Sequence, residues 1–247
     1  MELLHTGERI DDLDLNGLKI IQNPKWFCFG IDAVLLSTFA FIRRKDKVAD
    51  LGTGNGIIPI LVHGKHAPKQ IVGVEIQEAV AEMATRSIKL NGLEEIIRIH
   101  NGDIKNAPTE LGCNQFDAVL SNPPYKKVST GLLNPSDNKA ISRHEVLINL
   151  DELIMAAGKL LKDGGRLSMI HRPERLKDII ISLDKYKFSP KRIRFVHSKV
   201  HDKPSMLLIE ATKGGGDFLK IEEPIYVYNE DGSYSDEILR MYGKETK

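Results

Sequence analysis

The segment DKVADLGTGNGIIPILV (46–62) limits the possible folds more than any other part of the chain. A short run suited to a buried strand passes through alternate glycines, Gly52, Gly54 and Gly56, into an apolar stretch of helical length. Glycine permits positive φ and lets a ligand approach the main chain closely. Taken alone, such a turn serves equally well as a tight strand-to-helix connection that binds nothing. The rest of the chain repeats the unit. QIVGVEI (70–76), IIRIHNGD (96–103), FDAVLSN (116–122) and RLSMIHR (166–172) read as strands. QEAVAEMATRSIKLNG (77–92), closed by Asn91-Gly92, and NLDELIMAAGKLLKDGG (149–165), closed by its glycines, read as helices. A further helix over 174–186 leads to RIRFVHS (192–198) and MLLIEAT (206–212). This alternation predicts an α/β fold: a doubly wound, mostly parallel sheet of seven strands that closes on a strand pair.

Residues 1–30 fall outside the alternation, and Leu15-Asn16-Gly17 predicts a small N-terminal hairpin there. The expected division is an N-terminal extension over 1–30, the main domain over 31–216 and a C-terminal extension over 217–247. Of the 247 residues 41% are hydrophobic, enough for a sizeable core, and the net charge of +1 means that any basic surface must be local. Cys28 and Cys113 are too few for a disulfide scaffold and lack metal-ligand spacing, so no metal is expected. MELLHTGERIDDLD carries acids where a signal peptide needs an apolar stretch, and the apolar run from Ala33 to Ile42 is too short to span a bilayer. The expected location is the cytoplasm, with no membrane attachment and no obligate protein partner.

Three acids give the glycine turn a ligand. Asp50 stands two residues ahead of Gly52-x-Gly54-x-Gly56, a spacing that differs from the Gly-x-Gly-x-x-Gly dinucleotide fingerprint. Glu75 ends the second strand, about twenty residues on, where an acid can accept ribose hydroxyl protons. Asp103 is expected to end the third strand within reach of an adenine edge. Ligands bind at carboxyl ends of strands in open α/β sheets, and all three acids are expected there. A pyrophosphate disfavours a carboxylate as close as Asp50, whereas a sulfonium and an amino-acid group favour it. The pattern therefore predicts S-adenosylmethionine rather than NAD.

The fourth strand runs into Asn122-Pro123-Pro124-Tyr125. Proline donates no ladder hydrogen bond and fixes its own φ, so the strand must stop in a stiff turn. In a doubly wound sheet this strand neighbours the first, which sets Asn122 beside the reactive end of the cofactor. An aromatic amino group such as adenine N6 is a poor nucleophile because its lone pair is delocalised. Donating its protons to the Asn122 side-chain oxygen and the Pro123 carbonyl turns that lone pair toward a methyl donor, while Tyr125 stacks on the base. Such catalysis rests on positioning.

With both motifs in view, the chain from about Phe27 to Lys213 resembles the class I S-adenosylmethionine-dependent methyltransferases, which have a Rossmann-like fold, in the branch that modifies exocyclic or amide nitrogens. Within that branch, Phe29-Gly30-Ile31-Asp32-Ala33-Val34-Leu35-Leu36 and Arg143-His144-Glu145 are similar to segments of the bacterial tRNA valine adenine N6-methyltransferase family. The resemblance implies that Asp50, Gly52, Gly54, Glu75 and Asp103 hold the cofactor, joined by Gly30, Asp32, Thr53, Gly56, Ile76, Ile104 and Asn122. It implies that Asn122, Pro123, Pro124 and Tyr125 hold the target, and that the partner is RNA, with tRNA as the expected form.

Lys126 and Lys127 follow the turn where a flanking phosphate is expected, and Arg143 and His144 are expected to support a mobile loop over the target, with 128–140 flexible. Lys185, Lys187, Lys191, Arg192, Arg194, Lys199 and Lys203, interleaved with Tyr186, Phe188 and Phe195, suit phosphate contacts and base stacking or, equally, a solvated charged face. Of these, Lys191, Arg192 and Arg194 are the expected RNA contacts. Trp26 is expected to pack against the core, and His63 and His66 to be solvated. Three other functions stay open on these residues: methylation of a protein glutamine amide, methylation of guanine N2 in ribosomal RNA, and RNA binding without catalysis.

Overall fold

The computed structural model describes residues 3–26, 28–123 and 149–244. An antiparallel hairpin, β1 (Arg9–Asp12) and β2 (Lys19–Gln22), opens the chain as expected. Then follow α1 (Ile31–Phe39), β3 (Lys47–Leu51), α2 (Ile57–His66), β4 (Gln70–Glu75), α3 (Glu78–Leu90), β5 (Ile97–Asn101), α4 (Ala107–Leu111) and β6 (Phe116–Ser121). After the undescribed segment come α5 (Leu150–Leu160), β7 (Leu161–His171), α6 (Leu176–Lys185), β8 (Phe188–His197), β9 (Pro204–Lys213), β10 (Lys220–Ile221), β11 (Ile225–Tyr226) and α7 (Asp236–Met241).

The seven long strands lie in the order β5-β4-β3-β6-β7-β9-β8. Only β9 runs against its neighbours, which makes the expected late strand pair with β8. The two-residue strands β10 and β11 add to β8 in parallel, so the sheet gains short edges from the C-terminal segment. Central strands bury both faces, as parallel strands do. Val48 enters the apolar cluster shared with α1 and α2, while Ala49 and Leu51 enter the one shared with α5. Ile225, Val227, Ile238 and Met241, all beyond residue 216, complete the first cluster.

Local pairing shifts some boundaries. The helix expected to run to Gly165 ends at Leu160, and β7 begins at Leu161, which pairs with Phe116. The Asn114 and Gln115 amides donate to the Lys159 and Leu160 carbonyls at 2.9 Å, so the end of α5 is capped by the β6 approach rather than by glycine. The hairpin is tied to α3: the Ile21 amide donates to Ser87 Oγ (3.0 Å), and the buried Arg86 guanidinium bridges Glu8 (2.6 Å) and Glu82 (2.8 Å). Trp26, expected in the core, is 41% exposed. His66 is not merely solvated, since its Nε2 meets the Ser37 carbonyl at 2.8 Å, and His63 Nδ1 is buried. No helix among the described residues is long and apolar enough to cross a membrane.

Candidate active site

The chain winds from β3 outward through β4 to β5, then returns to lay β6 on the other side of β3. The carboxyl ends of β3 and β6 therefore flank a topological switch point, where open sheets leave a crevice. The glycine turn forms one wall of that crevice. Gly52 and Thr53 donate their amides to the Val74 carbonyl at 3.0 and 2.9 Å, which presses the turn onto β4. A Cβ on Gly73 would meet the Thr53 side chain at 2.7 Å, so the approach requires glycine on β4 as well. Gly54, at φ 57°, turns its amide toward Glu75 Oε2 at 3.0 Å. The Gln77 amide holds Oε1 at 2.9 Å. Two main-chain donors thus orient the buried Glu75 carboxylate, and its remaining lone pairs can accept ligand hydroxyls.

Asp50 is 1% exposed, and neither of its carboxylate oxygens has a hydrogen-bond partner. Thr53 Oγ and Asn55 Nδ2, on the same turn, are buried and unpartnered too. Such atoms are scarce in folded proteins and each calls for a cause. Burial, offset in part by the neighbouring Thr53 hydroxyl and reinforced by the Glu75 charge, pushes the Asp50 carboxyl up to about 7. A cationic ligand with its own donors relieves the Asp50 carboxylate, and a ligand acceptor would meet the Asn55 amide. S-adenosylmethionine, carrying a sulfonium, an ammonium, a carboxylate and ribose hydroxyls, fits this set of acceptors and donors.

Asp103 does not end a strand. β5 stops at Asn101, whose side-chain amide donates to the Glu75 carbonyl at 2.9 Å, and Asp103 lies in the following turn, accepting from the Lys105 amide at 2.9 Å. Ile104 is buried, 4.0 Å from a Cβ built on Gly52, whereas Ile76 is 42% exposed.

Asn122 follows β6 directly, as expected, and Pro123 is buried. Its Nδ2 donates to Asp32 Oδ2 at 2.9 Å. Asp32 is the second residue of α1, after Gly30 at the N-terminal cap. A carboxylate can only accept, so it fixes which end of the amide faces it and turns the Asn122 oxygen elsewhere. Gly30, Asp32, Asp50, the glycine turn, Glu75 and Asn122 all lie along this one carboxyl edge. Pro124, Tyr125, Lys126, Lys127, Arg143 and His144, together with the loop over 128–140, lie outside the described residues.

The three cations expected to meet RNA have partners within the protein. Lys191 donates to the Gly216 carbonyl. Arg192 bonds Glu210 (3.1 Å) and the Phe39 carbonyl (2.7 Å), approaches Glu222 (3.5 Å) and lies 4.3 Å over the Phe39 ring. Arg194 bonds Glu237 (2.7 Å) and the Glu223 carbonyl (2.6 Å). Register through Leu208 and β7 sets Arg194 level with Asn122, three strand spacings or about 14 Å away. The aromatic residues interleaved with them face inward: Phe188 is buried, and Tyr186 and Phe195 pack against the core.

His171 was not singled out by the sequence. It is buried at the carboxyl end of β7, one strand from the Asn122 turn, and burial followed by the charges of Arg175 and Arg172 pushes it down to about 4. The Arg172 amide donates to its Nδ1 at 2.8 Å, which leaves a neutral ring with its proton on Nε2. Its only sequence signal is its place at the end of an apolar run.

Comparison with known proteins gives the family and the fold. Residues 27–182 match the methyltransferase small domain family. A tRNA1(Val) (adenine(37)-N6)-methyltransferase of Porphyromonas gingivalis is 30% identical over 220 residues, 86% of each chain. The enzyme of the same name from Phocaeicola vulgatus is 27% identical over 82% of this chain and 86% of its own. Among solved structures, a predicted O-methyltransferase of Agrobacterium tumefaciens superposes with a TM-score of 0.69 at 22% identity, covering 87% of this chain and 99% of its own. A geranyl diphosphate C-methyltransferase of Streptomyces coelicolor, solved with S-adenosyl-L-homocysteine, superposes with a TM-score of 0.55 at 15% identity, over 73% of this chain and 77% of its own. The structural likenesses establish the fold, and the sequence match establishes the kinship: the chain belongs to the methyltransferase small domain family.

Proposed function

We propose that this protein methylates the exocyclic N6 of an adenine in tRNA, with S-adenosylmethionine as methyl donor. The observation that carries the reading is the Asn122–Asp32 hydrogen bond at the switch point. It commits the amide NH2 of Asn122 to a carboxylate and so sets which end of the side chain is the oxygen, the end that would accept from an amino group. The tRNA adenine specificity in the names of the relatives from P. gingivalis and P. vulgatus supports the choice of substrate.

Bound beside Asp50 and Glu75, S-adenosylmethionine supplies a methyl group on a positively charged sulfur. The rest of the chemistry is positioning by this chain. Asn122 Oδ1 and the Pro123 carbonyl accept the two N6 protons, which tilts the nitrogen lone pair out of the ring plane. Asp32 prevents the amide from flipping and offering a donor instead. Tyr125 stacks on the base, and Lys126, Lys127 and Arg143 supply charge for the flanking phosphates. Once methylated, the nitrogen is cationic and sheds a proton readily, so no strong base is required. An unpaired loop base suits this site because no duplex has to be opened. This reading places the protein in the cytoplasm and needs no protein partner.

Incubation with tritiated methyl donor and either total RNA or total protein tests the substrate class. Label should appear in tRNA and vanish on RNase treatment. Label confined to a polypeptide would transfer the reading to a side-chain amide, and label in ribosomal guanine would change the base.

A further inference from the structure

We infer that the C-terminal segment carries a stacking surface, the outer ring Tyr228 backed by Tyr234, for an unpaired nucleotide of the RNA substrate; the inference rests on the tRNA reading above. β11 extends β8 in parallel at Val196 and His197. β8 and β6 share one direction, because β8 and β7 each run against β9 and β7 runs with β6. The segment therefore emerges at the same edge as Asn122.

There it folds into a rigid reversal. Tyr228 and Tyr234 form an antiparallel bridge, the Asn229 amide donates to the Ser233 carbonyl (2.9 Å), and the Ser235 amide donates to Val227 (3.0 Å). The Tyr228 and Tyr234 rings stack at 5.3 Å and 12°, and Tyr234 stacks on Tyr242 at 6.0 Å and 29°. Tyr242 packs on the same core cluster as Phe29 and Ile31, the residues either side of Gly30. Burial first, then Tyr234 and Tyr228 and last the Asp32 charge hold its hydroxyl up at about 12. The three rings thus form a ladder that rises from the start of α1, where Asp32 grips Asn122, to the surface. The outer ring, Tyr228, remains 38% exposed, and the middle ring, Tyr234, keeps an exposed edge.

A merely structural ladder needs only Tyr242 and apolar bulk above it. A part-exposed ring such as Tyr228, held in place by the rings stacked beneath it, is what a neighbouring base stacks on. The reversal is acidic, carrying Glu230, Asp231 and Asp236 besides Glu237, which is paired with Arg194. The ladder therefore contributes through stacking, with no share in phosphate attraction. Loss of the rings should weaken RNA binding by the same factor at low and at high salt, unlike loss of a phosphate contact.

The test is equilibrium binding of a fluorescein-labelled single-stranded oligoadenylate to the parent, to Tyr228→Phe/Tyr234→Phe and to Tyr228→Leu/Tyr234→Leu. Leucine keeps apolar bulk and removes the π face. The Leu pair should bind about tenfold more weakly at every salt concentration, the Phe pair should match the parent, and calorimetric affinity for S-adenosylmethionine should be equal in all three. Parental RNA affinity in the Leu pair overturns the inference, as does a change of oligomeric state on gel filtration with RNA affinity intact, which would make the ladder a protein contact. If the Leu pair fails to fold, single Tyr228→Leu is measured against the same two outcomes. Failure of the methylation reading looks different: ring-dependent oligoadenylate binding, with no label reaching RNA from the parent enzyme.

Discussion

Asp50→Asn should make the ligand-free protein more stable at alkaline pH while weakening its hold on the methyl donor. The Asp50 carboxyl is buried without a partner and is raised from 3.8 to about 7. At about 1.4 kcal/mol per pH unit, the charged form costs on the order of 4 kcal/mol in the folded chain. The folded value lies above the unfolded one. The stability linked to this group is therefore complete below pH 4, declines as pH rises, and is lost above about pH 7. Asparagine carries no charge to desolvate, although its amide, buried in the same place, costs about 1–3 kcal/mol. The net gain at pH 8 is then about 1–3 kcal/mol. The difference between variant and parent should grow by about 2–3 kcal/mol from pH 5 to pH 8. Urea unfolding of both proteins at the two pH values measures this directly. Calorimetry at pH 8 should show the variant binding S-adenosylmethionine at least tenfold more weakly. A stability difference independent of pH, or one that shrinks toward pH 8, would refute the view of Asp50 as an uncompensated charge waiting for a cationic ligand.

Glu75→Ala should weaken cofactor binding by about 1–3 kcal/mol, because a buried hydroxyl loses its charged acceptor and the Gly54 and Gln77 amides lose theirs; calorimetry reports it. Asp32→Ala should lower kcat about 10- to 100-fold by freeing the Asn122 amide to rotate, while Asp32→Asn, which can still accept through its oxygen, should recover part of the loss. Steady-state kinetics with cofactor affinity measured in parallel separates this from a binding defect. Arg192→Ala should destabilise the protein by about 2–4 kcal/mol, since it leaves the buried Glu210 without its cation; a variant that unfolds like the parent but binds RNA more weakly would return Arg192 to the phosphate role.

The legible parts of this chain are those where the backbone itself imposes a chemical requirement. Alternate glycines after a strand and two prolines closing another act locally, so the turn at Gly52–Gly56 and the end of β6 lie where the sequence set them. Glu75 at the end of β4 followed from the same reasoning. Asp103 did not, because Asn101 is the last residue that pairs with β4, its side-chain amide bonding the Glu75 carbonyl, and β5 ends two residues early. The segment 31–39 carried a resemblance but no helical stripe: six of its nine residues are buried, so its period is hidden. The role of the late cations was illegible because their partners are distant in sequence. Arg192 and Arg194 find Glu210, Glu222 and Glu237, which are supplied by β9 and by the segment past residue 216. The tyrosine ladder comes from that same segment, and no periodicity announces three rings that stack only once β11 has joined β8.

The central claim is that Asn122, held by Asp32, presents its side-chain oxygen to an adenine amino group. Its most direct test is nucleoside analysis of tRNA methylated by the parent and by Asn122→Ala, with S-adenosylmethionine affinity measured for both. The parent should place label in N6-methyladenosine. The variant should bind the methyl donor with nearly parental affinity and transfer nothing detectable, because its side chain reaches the target and not the donor. Parental single-turnover methylation by Asn122→Ala, or label in any nucleoside other than N6-methyladenosine, would contradict the account.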